Sequence, residues 1–374
     1  MNVHERIIKT LEHEEPDRIP TLAQVLENGF MEKLDDIPDF FPWLDENFSG
    51  GNQYMLDCAR YIGLDAIWYH YHRQRDEEKD KPEVPKDILE KYELGEPSTG
   101  GHYSEKGWYK DGVLKTPELL KEWTSYIKTW EAGEEKNYIE YSEIWEENIS
   151  KGLVPIPTGG GVAYVTWSSI GINRFAYLAR KHLNLIKDLA MAWGKFTMKQ
   201  HDLLFEHGVD MVFICDDFCM KERSIYSPKQ FDEIVVPVYT MLSNNAHKKG
   251  GKFLIHSDGN VSELLPLLVK AKVDAIEPLE YESGARIPPL KEQFGDNITF
   301  IGNVPATFTL SFGTVEETVR KTKDLMLQCG EGGGYIVAAG SDVLASCKVE
   351  NMRAMIATAK KFGTYPLNKD KLRA

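Results

Sequence analysis

Met211-Val212-Phe213-Ile214-Cys215-Asp216-Asp217 and Phe253-Leu254-Ile255-His256-Ser257-Asp258-Gly259-Asn260 share one plan. A run of three to five apolar residues, too short for a helix and rich in Ile, Val and Phe, breaks off into acidic, imidazole or amide side chains. Such runs predict buried strands. The plan recurs downstream. Residues 273–276 lead into Glu277-Pro278, 298–301 into Gly302-Asn303, and 335–338 into Gly340-Ser341-Asp342. Between the runs lie amphipathic helices. Ile186, Leu189, Trp193, Phe196 and Leu203 form a stripe at helical spacing, and Gly208 stops that helix before the strand at 211. Ser227-Pro228 with Gln230, and Thr314 with Glu317, carry N-cap signatures, and Gly330 ends the second of these helices.

Strands alternating with helices imply right-handed crossovers and a parallel sheet. The alternation fits an open doubly wound sheet or a closed eight-stranded barrel. The lack of a glycine-rich dinucleotide fingerprint after the first strand favours the barrel. In the first half, residues 18–21 and 65–69 read as strands of the same sheet. Residues 72–147 are charged, turn-rich and aromatic, with the run Asp76-Glu77-Glu78-Lys79-Asp80-Lys81 and Trp108, Trp123, Trp130 and Trp145. This segment reads as an insertion or cap over one end of the sheet, within a single barrel domain spanning 1–374.

The chain has 374 residues, 42% of them hydrophobic and 27% charged, enough for a large core without staples. Lys and Arg total 44 against 58 Asp and Glu, a net charge of −14. That field argues against nucleic acid or an anionic membrane surface as partner. Five widely spread cysteines (Cys58, Cys215, Cys219, Cys329, Cys347) suit a reducing cytoplasm better than a disulfide framework. No apolar run is long enough to span a bilayer, and Met1-Asn2-Val3-His4-Glu5-Arg6 reads as a helix start, not a signal peptide.

In a parallel sheet the ligand site lies at the carboxyl ends of the strands, where this sequence places its polar residues. His256 and Asp258 share a face of an extended segment and can point into one pocket, as a metal-binding or a proton-transfer pair. The bland alternative is a helix-capping Asp258 beside a core histidine. Adjacent residues point apart, so one of Asp216 and Asp217 faces the pocket while the other ties down the loop. Lys221 could bind a substrate anion and Glu222 a cation, against the alternative of an exposed turn. Cys215 reads as core, with Cys219 and Cys347 as weak thiolate candidates in loops. Gly159-Gly160-Gly161 and Gly332-Gly333-Gly334 lack the continuation of a phosphate-binding loop and read as turns. The aromatic cluster reads as core, or as a wall for a flat apolar substrate.

Several motifs, in order along nearly the whole chain, resemble the uroporphyrinogen decarboxylase superfamily. They are Glu5-Arg6 with Glu14-Glu15-Pro16-Asp17-Arg18-Ile19-Pro20, Ser227-Pro228 with Pro237, His256-Ser257-Asp258-Gly259-Asn260, Gly302-Asn303-Val304 and Val349-Glu350-Asn351-Met352. The resemblance implies a (β/α)8 TIM barrel with its site at the C-terminal face. True decarboxylases of this superfamily carry an arginine-rich segment near the first strand. Here that stretch is Thr21-Leu22-Ala23-Gln24-Val25-Leu26-Glu27-Asn28-Gly29, without arginine.

The superfamily's other branch comprises cobalamin-dependent methyltransferases, in which the corrinoid sits on a separate protein. Thiol-methylating members of that branch carry zinc-binding cysteines where this chain has Asp258 and Ser341. The resemblance therefore implies transfer of a methyl group from a small methylated donor, of methyl ether or methylamine type, to a corrinoid protein. The chain has no D-x-H-x-x-G cobalamin motif, so the cobalamin would arrive on that partner. The implied site has His256, Asp258 and Asp217 as catalytic residues, Lys221, Asn303 and Ser341 as substrate contacts, and zinc held by His256, Glu222 and Glu277. The alternatives are a decarboxylase or lyase of a small acid, or a binding protein without catalysis.

Overall fold

The computed structural model describes residues 1–34, 51–70, 88, 91, 101–103 and 109–374. The charge run at 76–81 and Trp108 lie outside the described residues. The strands in chain order are β1 (Thr21–Ala23), β2 (Ala66–Tyr69), β3 (Gly101–Tyr103), β4 (Tyr109–Gly112), β5 (Val154–Pro157), β6 (Met211–Cys215), β7 (Lys252–His256), β8 (Ala275–Glu277), β9 (Thr299–Val304) and β10 (Tyr335–Ala339). β3 and β4 form a separate antiparallel pair. The other eight make one parallel sheet in the order β5-β2-β1-β10-β9-β8-β7-β6. A parallel bridge between Thr158 and Phe213 joins its two ends, so the sheet closes as a (β/α)8 barrel.

The seam has a chemical cause. Val154 and Thr158 donate their N–H groups to Asp65 and Tyr69, toward β2 (2.8 and 2.9 Å). The alternate positions, whose N–H would face β6, are Pro155 and Pro157, which have none to give. Contact with β6 is therefore left to the Thr158 bridge and to Gly159, which donates to Phe213 (3.2 Å). The same prolines hide β5 from a reading by composition. β1 begins at Thr21 instead of residue 18, because Arg18 turns aside to pair with Asp65 and Pro20 cannot donate.

The expected helices form. Leu183–Glu206 carries the stripe and stops before Gly208 (φ 86°), while Ser227 with Gln230 and Thr314 with Glu317 close capping boxes. The helix Glu135–Ser150, which begins within the segment 72–147 read as an insertion and runs past its end, packs on β5 and is the crossover helix of the second βα unit. Trp123, Trp130 and Trp145 are buried, and Trp130 packs edge-on against Trp193 and Phe196 on the barrel's flank. They are core and do not wall the mouth.

At the N-terminal face the opening motif does structural work. The helix Val3–Leu11, capped by Asn2 and Glu5, brings Arg6 to Asp65 (3.0 Å) and Asp17 (2.7 Å), while Arg18 grips the same Asp65 (2.6 Å). Thr21 adds a backbone bond to Asp65 (2.8 Å).

Candidate functional site

β6, β7 and β8 run in register, with Cys215 beside His256 and His256 beside Glu277. Their carboxyl ends therefore present side chains at one level on one rim. His256 is buried. Its Nδ1 lies 2.8 Å from Glu277 Oε2, and its Nε2 lies 3.4 Å from Asp217 Oδ1 and 3.7 Å from Asp258 Oδ1. The indole of Trp68 crosses from β2 to stand edge-on to the imidazole, with centroids 4.9 Å apart.

Asp216 and Asp217 divide as adjacency requires. Asp216 is buried and accepts from the backbone N–H groups of Val162, Ala163 and Tyr164 (2.9, 2.8 and 2.5 Å) and from the Tyr239 hydroxyl (2.7 Å). It fastens the start of the helix Ala163–Ile170 to β6. Asp217 turns to the mouth, half-buried, and is oriented by the backbone N–H of Asp258 (2.8 Å). Ser257 accepts from the backbone of Phe218 (3.1 Å) and holds the loop after β6 in place. Gly259 has φ 84°, and a Cβ there would sit 2.3 Å from the Met220 carbonyl oxygen, so this close loop approach requires glycine.

Charge is tuned by burial and pairing. For His256, burial opposes the imidazolium, but Cys215, Asp217 and Glu277 outweigh it and lift its pKa well above the ordinary value. Asp217 is pulled below its ordinary value, the hydrogen bond to His256 overcoming burial. Burial pushes Glu277 up to about 7 and raises Asp258. Asp342, past the end of β10, is raised to about 6 by burial, and it feels the charges of His256, Asp258 and Asp217.

Among the described residues, the histidine, cysteine and carboxylate side chains whose donor atoms gather to hold an ion are Asp217, His256 and Asp258, all within 4.8 Å of one another. Of the expected set of His256, Glu222 and Glu277, the structure brings Glu277 to His256 and leaves Glu222 apart. Glu222 is exposed on the loop after β6 and outside this group. Glu277 meets Nδ1, the nitrogen turned away from Asp217 and Asp258, and so fixes the ring from behind.

Lys221 is exposed and lines a cleft of about 470 Å³ with Asp258, Gly259, Glu280, Glu282, Met220 and Phe308. Asn303 is buried and spends its amide on the carbonyls of Leu279 (2.8 Å) and Ala285 (3.1 Å), bracing the loop after β8. Ser341 is half-buried at the end of β10. Cys219 and Cys347 are buried, and burial pushes the Cys219 thiol to about 12 and raises that of Cys347. Both stay protonated near neutral pH. The reading from sequence missed Trp68 and left Asp342 out of the site. Asp342 followed a strand and was visible; Trp68 lay in a strand too short to mark its inward face.

The fold and site together define a closed parallel barrel whose C-terminal rim gathers one imidazole and several carboxylates. Comparison gives the family. Residues 162–362 match the model described as Uroporphyrinogen decarboxylase (URO-D), and the chain belongs to that family. It is 22% identical over 211 residues to the methylcobamide:CoM methyltransferase MtaA of Methanosarcina barkeri, a match covering 56% of this chain and 59% of that relative. The chain thus spans less than two thirds of that protein's length. Among solved structures, a methyltransferase from Methanosarcina mazei aligns with a TM-score of 0.68 at 18% identity, over 97% of this chain and 99% of that one. At that identity the likeness speaks for the barrel fold.

Proposed function

We propose that this chain is a methyltransferase that moves a methyl group from a small methylated donor, of methyl ether or methylamine type, to the cobalt of a separate corrinoid protein. The observation that carries the reading is the convergence of Asp217, His256 and Asp258 on one side of a barrel mouth. The likeness to MtaA, whose name describes methyl transfer from a cobamide, supports the methyl-transfer class. Asp258 in the place of a thiolate supports a donor-side enzyme over a thiol methylase.

The donor set suits zinc: one imidazole nitrogen and two carboxylate oxygens, with Glu277 as the carboxylate behind the imidazole that such sites use to fix the ring. Asp217, His256 and Asp258 would hold the ion, and bound zinc would supply a Lewis acid for the departing oxygen or nitrogen. The chain's own residues do the rest. Glu277 sets the ring's direction, and the backbone of Asp258 orients Asp217. Lys221, Ser341 and Asn303 are the proposed substrate-side residues, Lys221 and Ser341 by contact and Asn303 by bracing the rim. His256 is itself buried, with the Trp68 ring edge-on to the imidazole. Five free cysteines are in keeping with a cytoplasmic protein.

The test mixes the purified chain with corrinoid proteins reduced to Co(I) and a panel of methyl ethers and methylamines, reading the methyl–cobalt absorbance. We expect a signal for some pair, about one zinc per chain, and loss of turnover in His256→Ala with the circular dichroism unchanged. Silence across a broad panel would overturn methyl transfer in favour of a lyase. Full activity in metal-free protein would remove zinc from the account.

A further inference from the structure

A single hydrogen bond does not fix an imidazole. Glu277 Oε2 holds His256 Nδ1 at 2.8 Å, yet Nε2 must also stay aimed at Asp217 and Asp258, 3.4 and 3.7 Å away. The outer torsion of a histidine side chain is broad, with no sharp staggered wells to hold it. A hydrogen bond in turn tolerates bending by about 30°. With Glu277 alone the ring could rock and carry Nε2 off its line.

Trp68 supplies a second restraint. It sits in β2, whose neighbours in the sheet are β1 and β5. Its ring nevertheless meets Phe213 of β6, with centroids 4.6 Å apart, and His256 of β7, with centroids 4.9 Å apart and planes at 87°. The indole therefore lies inside the barrel. In a perpendicular pair the edge of one ring meets the face of the other, so a rocking imidazole would either collide with the indole or open a gap in a close-packed interior. Trp68 is 2% exposed and is backed by Phe213, which leaves it little room to step aside. Its Nε1 is buried without a hydrogen-bond partner among the described residues. A phenylalanine would fill an apolar position without that orphaned donor. What the indole adds is reach, touching β6 and β7 at once.

We infer that Trp68 is a positioning residue: together with Glu277 it fixes the imidazole plane of His256, so that Nε2 faces Asp217 and Asp258 before any ion arrives. The inference rests on reading Asp217, His256 and Asp258 as the metal-holding group, and adds how that group is preformed. Glu277 restrains the ring at Nδ1, and Trp68 restrains its rotation. A ligand set held in place beforehand gives up less side-chain freedom on binding and so binds more tightly. Loss of the indole should therefore appear in ring mobility and ion affinity.

Two measurements on the full-length chain test this without turnover. One is the proton–nitrogen correlation spectrum of the histidine rings in metal-free protein, with His256 assigned through His256→Ala. The other is zinc affinity, by competition with a coloured chelator. The parent should give one set of sharp His256 ring signals before zinc is added. Trp68→Met fills space without a ring, and should broaden or double those signals and weaken zinc at least tenfold. Trp68→Phe keeps a ring of shorter reach and should lose less on both counts. Trp123→Met is the control. Trp123 is equally buried, in the helix Pro117–Ile127 against Leu183–Glu206, and its loss should lower the melting temperature and move neither reading. Parent-like signals and zinc affinity in Trp68→Met, or equal changes in Trp123→Met, would overturn the role of Trp68. If Trp68→Met does not fold, Trp68→Phe is judged by the same criteria. The two readings fail separately. An ordered His256 ring in a parent that binds no zinc would sink the metal reading alone, whereas zinc bound by a parent whose ring is mobile would sink the positioning role alone.

Discussion

Asp216 and Asp217 differ by one position in the chain and by their entire role. The extended backbone after β6 sends one carboxylate inward to four donors and the other to the mouth. Asp216→Asn should cost about 2–3 kcal/mol in urea denaturation, because buried N–H and O–H groups lose a charged acceptor. Asp217→Asn should leave the denaturation curve in place and lower zinc content and turnover. His201 offers a pH signature. It is buried in the helix Leu183–Glu206, and burial pushes its pKa down to about 3. Between its ordinary value of 6.5 and about 3, the unfolded chain binds a proton that the folded chain refuses. Stability therefore falls as pH drops through that window, by about 2 kcal/mol between pH 7 and pH 5 from this residue. The parent should lose that much more than His201→Gln in urea midpoints measured at the two pH values. At this scale the sequence exposed the division between Asp216 and Asp217 but not which took which role. That depended on where the backbone amides of residues 162–164 lie.

Among the elements, β6 and β7 were legible with nearly their full extent, since apolar runs flanked by polar residues leave one interpretation. β5 was not, because proline at two alternate positions reads as a loop until the closure geometry shows those positions facing a seam that needs no donors. The constellation around His256 was half legible. His256 and Asp258 lie on one segment, while Asp217 and Glu277 reach them from β6 and β8 through the register of a parallel sheet. Glu222 was drawn into the expected set by its nearness to Asp217 along the chain, and the loop turns it to solvent.

The whole molecule separates the two faces of its barrel. The C-terminal rim collects unsatisfied and titratable groups, and the N-terminal face carries a satisfied ionic cluster around Asp65, as expected where stability and chemistry sit at opposite ends. Asp65→Ala leaves Arg6 and Arg18 facing one another without their shared counter-ion. It should cost about 3–5 kcal/mol of stability. At a temperature where the variant is folded, zinc content and methyl transfer should match the parent, since the cluster lies at the far end from His256. A loss of zinc in the folded variant would contradict that separation.

What the sequence determined by itself was local in origin: strand and helix alternation, caps, the parallel sheet they imply, and a rim of polar residues at strand ends. Hydrophobic period and capping chemistry act over a few residues, and so they are written in the chain. The tertiary structure alone decided which nitrogen of His256 meets which acid, that Trp68 crosses the barrel, and which polar atoms are left without partners. Those outcomes depend on closure and on the register between strands far apart in sequence, where a shift of one residue would turn every side chain to the opposite face.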